Sequence, residues 1–305
     1  MIHLDRFLEM MAAERGAARS TLSSYEADLK DFFVSLKIED PSLIAFKDIQ
    51  DYLVLQKHLS VSTVARRISC LRQFYKFLMS EGYVTENPTS LLEAPRHQRK
   101  LPIVLSETDV NCLLEGAKAW GGAEGQRLSA LLEILYATGF RVSELVSLPL
   151  TTAIGVLKSE KPFLMVRGKG NKDRVVPLTP AALESLKHYL TSRKSFLPKG
   201  KESPWLFPSS SQTGYLTRQR FGQLLKELAL KVGLNPALLS PHMVRHAFAT
   251  HLLRHGANLL VVQKLLGHSD ISTTQIYTHV AQDDLAEMLE AYHPLSKKSA
   301  IKSNC

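Results

Sequence analysis

The sequence predicts a mainly α-helical protein of two domains, the second a mixed α/β domain with a small antiparallel β-sheet. Three observations predict it. The chain has 305 residues, about twice an ordinary domain. Apolar residues recur at helical spacing through most of it. One stretch, PFLMVRGKGNKDRVVPL (162–178), breaks that period with two β-rich runs around GKGNKD, the pattern of a β-hairpin.

Residues 1–92 read as helices. In 20–36, Leu22, Tyr25, Leu29, Phe32, Phe33 and Leu36 share a helical face. In 62–79, Val64, Ile68, Leu71, Tyr75 and Leu78 form the core stripe, with Ser62, Arg66, Ser69, Gln73 and Lys76 opposite. Arg66, Arg67, Arg72 and Lys76 bring positive charge to this helix and no acid, which suits phosphate contact as well as a solvated face. Gly82 ends the helix and Asn87-Pro88 marks a turn. Residues 93–102, EAPRHQRKLP, hold two prolines, a basic run and no period, and read as a linker. Helices are expected at 106–117, 126–137, 141–148 and 179–192, with a loop at 150–162 before the hairpin. Lys169 and Lys172 lie on the hairpin tip, with Arg174 just after. GxxxxGK[ST] is missing, so the glycines there are not a nucleotide-binding P-loop. The last expected domain boundary is at 295, leaving 296–305 as a tail.

The net charge of +9 points to a polyanionic partner. Residues 1–100 balance at +1 and residues 101–305 at +8, so the second domain should grip harder. Cys70, Cys112 and Cys305 show neither a disulfide framework nor metal spacing, which suggests a reducing compartment. No apolar run reaches membrane-spanning length, and Asp5 and Glu9 interrupt the apolar start, which argues against a signal peptide. The expectation is a cytoplasmic protein.

SPHMVRHAFATH (240–251) carries the first chemical signal. Ser240 suits an N-cap, Pro241 the first helical position, and Gly256 the residue past the end. Val244, Ala247, Phe248, His251 and Leu252 form the buried face, with His242 and Arg245 on another, clear of the core. A helix N-terminus already favours an anion, and these two cations strengthen it. His242/His246 and His251/His255 have i, i+4 spacing, but HExxH is missing and the pairs point apart, so no metal site is expected. Asn258 can cap LLVVQKLL, which ends at Gly267 before His268. Ser272 and Gln275 have capping-box spacing, placing Tyr277 in the second turn of a further helix. A tyrosine is a poor nucleophile at neutral pH unless cations and a proton acceptor surround it. Arg141, the Lys169 hairpin, His242/Arg245 and His268 could provide them, but Lys169 and Lys172 are not distinguished by chemistry alone.

ATGFRVSEL (137–145), GKGNKDR (168–174), SPHMVRHAFATHLL (240–253) and LLGHSDISTTQIYTH (265–279) together resemble the signature boxes of the tyrosine recombinases (phage integrases), in particular the bacterial Xer branch. The resemblance spans essentially the full length. It implies a SAM-like helical core-binding domain (1–92), a catalytic domain (103–295) and a C-shaped clamp around duplex DNA. It assigns Arg141 and Arg245 to the scissile phosphate, Lys169 to the general acid, His242 and His268 to completing the pocket, and Tyr277 to the nucleophile. It further implies DNA cut through a 3′-phosphotyrosyl intermediate with no cofactor. The expected setting is resolution of chromosome dimers at a dif-like site, in a heterotetramer with a XerC-like paralogue and an FtsK-like translocase as activator. A mobile-element integrase, a type IB topoisomerase-like relaxing enzyme and a catalytically silent DNA-binding protein are the alternatives. Thr152 stands where the family often has Asp, in a 150–162 stretch slightly longer than usual. In 283–295, Leu285, Met288, Leu289 and Tyr292 share one helical face, suited to docking on a neighbouring subunit or on the chain itself.

Overall fold

The structure is a computed structural model that describes residues 2–93, 104–159, 162–167, 173–198, 201–266, 289 and 291–294. The chain divides into two compact units, Met1–Leu101 and Pro102–Cys305. The expected linker falls almost wholly outside the described residues.

The first unit holds helices α1 (Ile2–Ala13), α2 (Arg19–Leu36), α3 (Phe46–Leu55) and α4 (Val61–Ser80). Its core is aromatic. Phe7 meets Phe74 edge-on at 5.3 Å, and Phe32 meets Tyr52 at 4.9 Å. Such pairs add about 0.5–1.5 kcal/mol each to plain area burial. Ser60 caps α4 by accepting from the Thr63 N–H.

The second unit is built around α6 (Gly122–Thr138). Thirteen of its 17 residues are buried, so it has no solvent face of its own and runs through the middle of the unit. It packs against α5 (Glu107–Ala119), α9 (Pro180–Ser192) and α11 (Pro241–Arg254). Short α7 (Val142–Val146), α8 (Leu150–Lys158), α10 (Arg218–Lys231) and α12 (Leu259–Leu266) complete the helices. Strands β1 (Phe163–Arg167) and β2 (Asp173–Pro177) pair antiparallel, with Leu164 opposite Val176 and Val166 opposite Arg174. Leu164, Val166 and Val176 are buried while Met165 is exposed, the alternation of a sheet with one covered face.

Two expectations need correction. The stretch expected as a loop at 150–162 is mostly helix α8, anchored by the buried Ala153 and Val156. Helix α10, capped by Thr217, was not expected, although LTRQRFGQLLKELALK carries a helical period. Cys70 is free and buried. Among the described residues, no helix is long and apolar enough to cross a membrane.

Candidate active site

Arg141 owes its place to the turn before it. Gly139 ends α6 with φ of +61°, a left-handed conformation that favours glycine, and an added Cβ would overlap the Phe248 ring. Phe140 is wholly buried and pins the chain, and Arg141 follows as the N-cap of α7. Glu144 accepts from the Arg141 backbone N–H at 2.7 Å and from its Nη1 at 3.0 Å. The Arg141 side chain stays 35% exposed while its backbone is fixed.

Glu144 also ties in the hairpin. Arg174 grips it with two forked bonds, Nη1 to Oε1 at 3.0 Å and Nη2 to Oε2 at 2.7 Å, and donates from Nε to the Leu265 carbonyl at 3.1 Å. These bonds hold the Glu144 carboxyl below its ordinary range despite a larger opposing push from burial. Strand alternation explains the geometry. Arg174 lies on the same face of β2 as the buried Val176, so it points inward rather than toward solvent. The sequence suggests Arg174 as a DNA contact; in the structure its side chain is 12% exposed and is bonded to Glu144 and to the Leu265 carbonyl.

Arg245 sits in the second turn of α11. Ser240 caps that helix by accepting from the Met243 N–H at 3.2 Å. The expectation that Arg245 is clear of the core is wrong: it is only 8% exposed. Its guanidinium donates to the carbonyls of Gly139, at the end of α6, and of Leu266, the last residue of α12, the latter at 2.7 Å. Both carbonyls lie at helix C-termini, where backbone acceptors are unused and the dipole welcomes a cation. Burial pulls this guanidinium down to about 10, with the nearby Arg141 charge adding to the effect and Glu144 opposing it. It remains protonated at neutral pH. Of its five N–H donors, the described residues use two. The structure thus brings Arg141, Arg245 and Arg174 together around one carboxylate. His242, in the first turn of α11, is exposed. Lys169, Lys172, His268 and Tyr277 lie outside the described residues.

In the first unit, Arg66 pairs with Asp28, Arg67 reaches Asp31 and the Tyr52 hydroxyl, and Arg72 donates to the Leu92 carbonyl. The acids missing from α4 are supplied by α2. Arg66 stays 40% exposed and Lys76 is exposed, but the Arg67 side chain is only 14% exposed and is engaged internally. Glu144 and Gly139 are the residues that sequence reading missed. Glu144 had a signal: it stands three residues after an N-cap and can reach back to it. The role of Gly139 had none, because it depends on Phe248 and Arg245 arriving from another helix.

His251 shows why spacing alone misleads about metals. Its Nε2–H donates to the Leu105 carbonyl at 2.9 Å, and its Nδ1 accepts from the Tyr136 hydroxyl at 2.8 Å. It is a satisfied core histidine. Among the described residues no group of His, Cys, Asp and Glu could hold a metal ion.

A mainly helical two-unit chain with an excess of positive charge and guanidiniums clustered at helix ends has the features of a protein that binds nucleic-acid phosphates. More narrowly, it belongs to the phage integrase family: residues 104–284 match the Phage integrase family, and 4–82 match the Phage integrase, N-terminal SAM-like domain. The chain is 49% identical to "Tyrosine recombinase XerD" of Agrobacterium fabrum, over 97% of this chain and 95% of that protein. It is 48% identical to the protein of the same name from Caulobacter vibrioides, over 96% and 97%. It is thus a tyrosine-type site-specific DNA recombinase of the Xer branch, similar to proteins named XerD. Two solved structures share the fold. They are XerH recombinase bound to palindromic difH substrate in a post-cleavage complex (TM-score 0.67, 22% identity, 94% of this chain and 84% of that one) and a lambda integrase tetramer bound to a Holliday junction (TM-score 0.63, 20%, 90% and 79%).

Proposed function

We propose that the chain cuts and rejoins duplex DNA at a dif-like site through a 3′-phosphotyrosyl intermediate, resolving chromosome dimers. The observation that carries the reading is the Arg141–Glu144–Arg245 arrangement: two guanidiniums held at helix ends around one carboxylate neighbourhood. Such forks suit the non-bridging oxygens of a phosphate whose charge peaks in the transition state. Tyr277 attacks the phosphorus as its phenolic proton passes to His242. The bond from phosphorus to the 5′ oxygen breaks, and Lys169 donates a proton to that leaving oxygen. His268 hydrogen-bonds the phosphate. The bond energy is kept in the phosphotyrosyl link, so the 5′-hydroxyl of a partner strand can attack, reseal and release Tyr277 without an external energy source. Lys76, Arg66 and Lys172 are proposed to steady the duplex by phosphate contact, with Arg67 and Arg72 shaping the surface from beneath.

A XerC-like paralogue is proposed as the other half of a heterotetramer and an FtsK-like translocase as activator. The test is a nicked suicide substrate carrying a dif-like site, offered to the chain with and without the paralogue. Wild-type protein is expected to form a covalent adduct on the 3′ phosphate, and Tyr277→Phe none. An adduct of equal yield in Tyr277→Phe would end this mechanism.

A further inference from the structure

Arg174 stands near the tip end of the hairpin, on its covered face. The last pair of the ladder is Arg167 with Asp173, and Arg174 lies one step back, opposite Val166. Alternation puts Val176 and then Arg174 on the same side as the buried Val166. Where the apolar face would continue, the sequence places a cation. A two-stranded ribbon is marginal by itself, so its tip end depends on what it is fastened to.

Arg174 fastens it with its whole guanidinium. Nη1 and Nη2 fork onto Glu144, and Nε donates to the Leu265 carbonyl. The guanidinium also lies 5.5 Å from the centre of the Phe140 ring. One side chain thus joins β2, the end of α12 and the start of α7, where Arg141 is the N-cap. Arg245 holds the next carbonyl of α12, that of Leu266. With the two bonds from Arg141, Glu144 accepts from four N–H groups, about as many as a carboxylate has sites for. Both partners are largely buried, so this pair is held far more firmly than an ion pair in water.

Lys172 and Lys169 precede Arg174 by a few residues on the connection between the strands. We propose that Arg174 is a positioning residue: by fixing β2 to Glu144 and Leu265, it sets where the general acid of the hairpin meets the leaving 5′ oxygen. The proposal rests on the reading that a hairpin lysine, Lys169, is that acid. As the bond from phosphorus to oxygen breaks, its electron pair goes to the 5′ oxygen, which takes the lysine proton. Misplacing a reacting group by about 1 Å costs about 100-fold in rate. A lysine at 174 keeps the charge but loses the fork and the third bond, because an ammonium is a point donor on a flexible stem. Arg141 has its own bonds to Glu144, so its hold on the phosphate is expected to survive.

The experiment measures single-turnover cleavage of a suicide substrate with either oxygen or sulfur at the 5′ bridging position. With sulfur, the bond from phosphorus to sulfur breaks and the electron pair leaves on a thiolate. A thiol has a pKa of about 8.5, so this departure needs no acid. Arg174→Lys is expected to cleave the oxygen substrate about 100-fold more slowly than wild type, and the sulfur substrate nearly as fast as wild type. Lys169→Ala should show the same rescue. Arg141→Lys should not, because its defect falls on the non-bridging oxygens. Affinity for uncut duplex, read by fluorescence anisotropy, should be unchanged in Arg174→Lys.

A folded Arg174→Lys that is slow on both substrates, beside a rescued Lys169→Ala, overturns the proposal and leaves the acid assignment standing. Wild-type cleavage of the oxygen substrate by Arg174→Lys also overturns it, and weaker duplex binding with that rate would make Arg174 a DNA contact. Rescue in Lys172→Ala instead of Lys169→Ala moves the acid along the same hairpin and supports the proposal. Rescue in neither lysine variant removes the hairpin acid, and both readings fall. If Arg174→Lys does not fold, Arg174→Gln, which can still donate to Glu144, is judged by the same rescue.

Discussion

Gly139 joins the backbone to the chemistry. Its positive φ, the Phe248 ring against it and its carbonyl bonded to Arg245 all meet at one residue. Gly139→Ala is expected to destabilise the chain by about 2–4 kcal/mol, from left-handed strain plus overpacking. Adduct formation should fall more than the lost folded fraction accounts for, because Arg245 loses its anchor. Urea unfolding alongside the suicide-substrate assay separates the two. A stable variant with full cleavage would show that the contact is dispensable. The sequence displays ATGFRVSEL openly, so the glycine was visible and its helix-ending use foreseeable. That Arg245 reads its carbonyl was not, since the two are 106 residues apart.

Among the elements, α11 followed its sequence closely. Ser240, Pro241 and Gly256 mark its ends because capping is local chemistry, settled by a few neighbouring residues. Ser240→Ala should cost about 1 kcal/mol, read as a lower urea midpoint with an unchanged slope. An unaltered midpoint would mean that the cap bond adds nothing net. Burial within α11 was less legible. Arg245 lies next to the apolar face, and a long cationic side chain enters a core when carbonyls wait there, as those of Gly139 and Leu266 do. Helix α8 was missed because its apolar residues read as loop filler until β1 and α9 give them something to cover. The inward turn of Arg174 follows from β-strand alternation once the register is known, and GKGNKDR by itself did not supply the register.

Across the whole catalytic unit, buried histidines tie distant segments together. His293 is 1% exposed and donates from Nε2 to the Tyr136 carbonyl, while Tyr136 holds His251. Leu289 joins the same core, so the described part of the C-terminal segment docks on its own chain. Burial lowers His293 to about 4, and lowers His251 as well. For such a group the unfolded chain takes up the proton first. Its stabilising effect is therefore complete above the unfolded value of 6.5 and is lost as pH falls toward 4. The loss should approach about 3 kcal/mol over that window. Glu133, raised to about 7, works the other way and partly masks it. His293→Gln can still donate to Tyr136 and should flatten the acid limb of stability against pH in urea unfolding. An identical limb in both proteins would remove His293 from this account.

The sequence by itself determined the helical class, the hairpin, the caps and the family, because period, turn chemistry and motif wording act over a few residues. Only the tertiary structure decided that Glu144 gathers Arg141 and Arg174, that Arg245 lies buried between two helix ends, and that the α4 arginines find their acids on α2. Those pairings join residues far apart in the chain. Which charge meets which is set by how the helices pack, and no local pattern encodes it.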